Sequence, residues 1–76
     1  MDETQVKDYL IENDQEFRRL AEEHRQFERQ LQELHTKTSH NDEDQFQETV
    51  LKKRKLAIKD QMQRMISRYQ LEHTAQ

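Results

Sequence analysis

The sequence predicts an all-α fold, an antiparallel two-helix hairpin packed in the manner of a coiled coil, and three observations predict it. First, 76 residues contain no Gly, Pro, Cys or Trp. Tight β-hairpins and Gly-rich phosphate loops lack the residues they need, and disulfides and thiolate metal sites lack their sulfur. Second, apolar residues recur at alternating spacings of four and three, the a/d period of paired helices. Third, the two apolar rows mirror one another about a polar stretch near the middle of the chain.

Helix 1 is expected over about 3–37. Asp2 with Gln5 has the spacing of a capping box, and Glu3 complements the positive end of the helix dipole. Its seam runs Val6, Leu10, Asn13, Phe17, Leu20, His24, Phe27, Leu31 and Leu34. Asn13 and Glu16 repeat the capping-box spacing, so a break there is the alternative to the continuous helix that the unbroken seam favours. The connection, about 38–42, falls in Thr36-Lys37-Thr38-Ser39-His40-Asn41-Asp42, whose side chains compete with helical backbone bonds. Asp42 with Gln45 reads as the cap of helix 2, about 43–72, whose seam is Leu51, Lys55, Ile58, Met62, Met65, Tyr69 and Glu72. One domain, 1–76, accounts for the whole chain.

A short connection makes consecutive helices antiparallel neighbours, so facing positions share a constant index sum. Leu31/Leu51, Phe27/Lys55, His24/Ile58, Leu20/Met62, Phe17/Met65, Asn13/Tyr69 and Leu10/Glu72 all sum to 82, which puts the fold-back at Asn41. Charge agrees. Residues 1–50 hold 6 bases and 14 acids, whereas residues 51–70 hold 7 bases and one acid. Acidic borders facing basic borders select the pairing of unlike helices, although each exposed pair contributes only ~0–1 kcal/mol.

Leu, Ile, Val and Phe number only 15, so one hairpin has little to bury. Phe46, Val50 and Ala57 share a helix 2 face away from the seam, while Leu56 and Ile11 sit on back faces. These extra apolar positions point to a contact with another chain, most simply two hairpins in a four-helix arrangement. A homo-oligomer or a protein partner is therefore expected. Lys52, Lys53, Arg54 and Lys59 are the candidate anion contacts, and nucleic acid is the alternative partner. Their spread around the helix, and the scarcity of interleaved aromatics, favour a solvated face instead.

No catalytic, cofactor or metal residues are assigned. Ser39 and Ser67 lack a placed base, and His35 and His40 lack a third ligand nearby. His24 with Glu28 has a helical i,i+4 spacing common to countless helices; in the seam it reads as a partly buried histidine bonded to a neighbour. Enzyme action and a small-molecule substrate are not expected. The start, Met1-Asp2-Glu3-Thr4-Gln5, lacks the basic and apolar regions of a secretory signal, and no apolar run reaches membrane length. A cytoplasmic location is the expectation.

The run Leu51-Lys52-Lys53-Arg54-Lys55-Leu56-Ala57-Ile58-Lys59-Asp60, followed by Met62 and Met65-Ile66, resembles the "LKK-x-KLxLKDE" signature of the YdcH-like family. Ile11-Glu12-Asn13, Phe17, Leu20 and Glu23-His24 resemble that family's "EN-x-x-F-x-x-L…EH" stretch. The resemblance implies a small bacterial cytoplasmic helical hairpin that associates, without established activity or cofactor. Two departures stand out. Asp14 stands where the family often has Pro, so a helix break there is less enforced, and Gln61 stands where it usually has an acid.

Overall fold

The computed structural model describes residues 2–37 and 41–74. Among these, all regular structure is helical: α1 spans Glu3–Asn13, α2 Gln15–His35 and α3 Asp42–Thr74. Thr38, Ser39 and His40, in the expected connection, lie outside the described residues.

The capping box at the start of α1 is complete. The Gln5 amide donates to Asp2 Oδ1 at 2.8 Å, and the Asp2 amide donates to Gln5 Oε1 at 3.1 Å. Two of the orphan donors of a helix start are satisfied reciprocally.

The helix expected to be continuous over 3–37 is in fact two. Asp14 has an extended backbone, φ −123° and ψ 113°, and caps α2 by accepting the Phe17 amide at 3.0 Å. The cap is therefore Asp14, one residue beyond the Asn13 that the spacing to Glu16 suggested. Asn13 instead ends α1 and donates through Nδ2 to the Tyr9 carbonyl at 2.9 Å. Arg18 seals the joint from the other side, its Nε donating to the Ile11 carbonyl at 2.9 Å and its Nη2 to that of Glu12 at 3.1 Å. An acidic cap on the new helix and a cation on the carbonyls of the old one satisfy the groups that a break exposes. A cap of this kind contributes about 1 kcal/mol, enough to compete with the helical bonds lost at one residue.

At the start of α3 the cap is Asn41, in place of the expected Asp42. Asn41 Oδ1 accepts the Asp44 amide at 2.8 Å, and its carbonyl accepts the Gln45 amide at 3.1 Å. Asn41 holds Asx geometry just outside the helix, so Asp42 moves into the first turn beside Glu43 and Asp44. All three acids lie where the helix dipole favours them. α3 runs about 50 Å at 1.5 Å per residue, and it sets the length of a body 55 × 19 × 17 Å.

Packing follows the apolar rows. Val6, Leu10, Phe17 and Ile66 form one buried cluster, with Met62, Met65 and Tyr69 against it. Leu20, Leu31, Leu34 and Ile58 are buried farther along the same rows. Contacts between α2 and α3 pair rising numbers on one helix with falling numbers on the other: Glu28 with Lys55, then His35 with Glu48. Both pairs sum to 83, within one residue of the expected register. Beyond the break the register changes. Tyr69, expected opposite Asn13, has its ring 5.0 Å from that of Tyr9, and Asn13 is exposed. The non-helical residue at Asp14 releases α1 from the phase of α2, so it meets α3 about one turn away from where a continuous helix would put it.

Candidate interaction surface

The expected seam residues divide by depth. Leu10, Phe17, Leu20, Leu31 and Ile58 are buried; His24, Phe27, Leu51, Met62, Met65 and Tyr69 are half-buried. The core also contains Ile66, only 1% exposed, which the a/d reading leaves out. It follows Met65 directly and precedes Tyr69 by three. Its presence reflects the helical period of 3.6 rather than 3.5, which carries the apolar stripe around α3 toward α1. The run Met62, Ile66, Tyr69 at spacings of four and three was the signal for it.

Of the residues read as a self-association face, Phe46, Leu56 and Ala57 are exposed and Val50 is half-buried. Phe46 is 69% exposed, Leu56 58% and Leu71 71%. Phe46 and Val50 line, with Gln30 and Leu51, an open hollow of about 280 Å³ between α2 and α3. Lys52, Lys53, Arg54 and Lys59, the candidate anion contacts, are all exposed. Lys52 is bonded to Glu48 at 2.8 Å, whereas Lys53, Arg54 and Lys59 make no ion pair among the described residues.

Polar contacts concentrate where α2 and α3 approach their connection. Asp44 is buried and receives Lys37 Nζ at 3.2 Å across the turn. Glu48 takes both Lys52 Nζ at 2.8 Å and His35 Nε2 at 3.3 Å. The hydrogen bond from Lys52, first, and that from His35 hold the Glu48 carboxyl below its ordinary value, against a smaller opposing effect of burial. A depressed carboxylate stabilises the fold above the unfolded pKa of 4.5 and loses that contribution as pH falls through the lower folded value. Glu48→Gln is therefore expected to lower the melting temperature at pH 7. The gap to wild type closes once the pH drops well below 4.5; thermal melts across pH 3–7 measure it, and a gap undiminished in acid would refute the assignment.

At the other end Tyr69 sits between rings, 5.0 Å from Tyr9 and stacked 3.9 Å from His73. Burial, then the neighbouring Tyr9 phenol, pushes its hydroxyl above the usual tyrosine value. Among the described residues no group of three or more His, Asp or Glu has metal-site geometry, and no helix is long and apolar enough to cross a membrane.

These features define a small all-helical protein whose distinctive surfaces are helix faces. The sequence model of DUF465, a protein family of unknown function, matches residues 17–66. The chain belongs to this family, the YdcH family that its motifs resemble. No curated protein and no solved structure matches it.

Proposed function

We propose that this protein is a noncatalytic, cytoplasmic helical-hairpin module that works by binding protein, in the first place another copy of itself. The observation that carries this reading is the wide exposure of Phe46, Leu56 and Leu71 on a chain with few apolar residues. A chain that short of apolar side chains gains by covering them, since each removes ~1.5–3 kcal/mol of unfavourable hydration when buried. The descending order of the α2–α3 contacts supports the antiparallel hairpin, and the acid-rich residues 1–50 and base-rich residues 51–70 support selective pairing of unlike helices.

Sedimentation equilibrium from about 1 to about 500 µM spans the affinities expected of such a surface. The apparent mass is expected to rise from 9.4 kDa toward twice that value with concentration, and Phe46→Glu is expected to suppress the rise without loss of helical signal. A constant monomer mass overturns self-association.

A second reading rests on a different observation. Lys53, Arg54, Lys59, Arg64 and Arg68, all within 52–68, make no ion pair among the described residues. Such cations suit an accessory contact to nucleic acid. Gel shifts over a salt series separate the two, because phosphate binding weakens steeply with salt.

A further inference from the structure

One side of the molecule carries an acidic row beside a basic one, with Glu23 of the acidic row bonded to Arg19 of its own helix at 2.9 Å. Glu16, Glu23 and Gln30 lie seven residues apart along α2, and Arg54, Ala57, Gln61, Arg64 and Arg68 follow spacings of three and four along α3. Helical geometry aligns each set in a row. The rows meet where Glu16, Leu20, Arg64 and Arg68 line an open hollow of about 330 Å³. Phe46 and Val50 meet Gln30 in the second hollow toward the connection. Glu16, Arg54, Arg64 and Arg68 make no ion pair among the described residues.

We propose that this side packs against the same side of a second copy about a two-fold axis parallel to the helices, so that α2 of each copy lies on α3 of the other. The inference rests on the self-association reading and names the surface and symmetry through which it occurs. A two-fold along the helices keeps heights unchanged. Glu16, already level with Arg64 and Arg68 in its own chain, therefore arrives opposite those two cations in the other, and the contact occurs twice. A two-fold across the helices lays α3 on α3 and sets a row of arginines against itself, which like-charge repulsion opposes. Ala57, exposed and small, sits in the middle of the basic row and lets the facing helix come close. Phe46 and Val50 supply apolar area at the end nearest the connection. A side with an outline of 55 by 19 Å has room for the ~800 Å² per partner of a standard stable interface.

The chain has no cysteine, so Gln30→Cys and Arg54→Cys placed in separate chains report one distance cleanly. With a short bismaleimide the mixed pair is expected to cross-link at least about tenfold faster than Arg54→Cys with itself, because packed neighbouring helices lie about 8–10 Å apart and diagonal ones farther. In parallel, Glu16→Arg and Arg64→Glu/Arg68→Glu are each expected to raise the dimer Kd by about tenfold or more. Mixing the two variants restores association, which also shows that both fold. A wild-type chain that stays monomeric overturns the self-association reading and this inference with it. A wild-type dimer in which Arg54→Cys links to itself and the mixed pair does not overturns the α2-on-α3 arrangement alone.

Discussion

Phe17→Ala is expected to leave the protein largely unfolded at 37 °C. Phe17 is 0% exposed and joins Val6, Leu10 and Ile66 in the cluster where all three helices meet. Truncating a fully buried Phe costs ~3–5 kcal/mol, from lost transfer energy and the cavity left behind. A chain this small has little more than ~5 kcal/mol to lose. At ~4–8 °C per kcal/mol for domains of this size, the midpoint falls by at least about 12 °C in a circular dichroism melt. Phe46→Ala is the control: at 69% exposed, it is expected to shift a dilute sample by no more than about 0.5 kcal/mol. Equal effects at the two sites would mean that the cluster is not the core.

The second large effect is expected at Ile66. It is 1% exposed, and Ile→Ala at such a site costs ~2–5 kcal/mol, whereas Ile→Val costs ~0.5–1.5 kcal/mol. Graded loss in urea melts, Val first and Ala far larger, is the expected result. Phe17 and Ile66 share one cluster, so the double Ala variant is expected to cost less than the sum of the singles, with a coupling of ~0.5–3 kcal/mol. Strict additivity would show that Phe17 and Ile66 do not pack on one another. Leu56→Ala, at an exposed position directly after the basic run, serves as the comparison in a dilute sample.

Much of this was legible in the residues themselves. A chain without Gly or Pro, carrying apolar residues at alternating four and three, has helices as its way to bury them. The capping pair Asp2 and Gln5 was legible because both partners are local. The misses are equally local in origin. Asn13, Asp14, Asn41 and Asp42 are all competent caps, and which one of each adjacent pair adopts extended backbone depends on small differences that spacing alone does not resolve. Asp14 wins the first contest with the help of Arg18, which donates to Ile11 and Glu12 from beyond the break.

The surface was legible in part. Phe46, Val50, Leu56 and Ala57 stood out because apolar residues off the seam are conspicuous in so polar a chain. The hollow joining Glu16 to Arg64 and Arg68 did not, because those residues are some fifty positions apart and belong together only once α2 lies beside α3.

By itself the amino-acid order determined that this chain is helical, roughly where the helices begin and end, and which rows of side chains leave water. Those properties are set by neighbours three and four residues away, whose interactions are complete within a turn or two. Only the tertiary structure decided that Ile66 is core, that Tyr69 meets Tyr9 rather than Asn13, and that Glu16 shares a hollow with Arg64 and Arg68. One extended residue at Asp14 changes the phase of α1 against α3, and the consequences of that change lie in contacts between residues far apart in the chain.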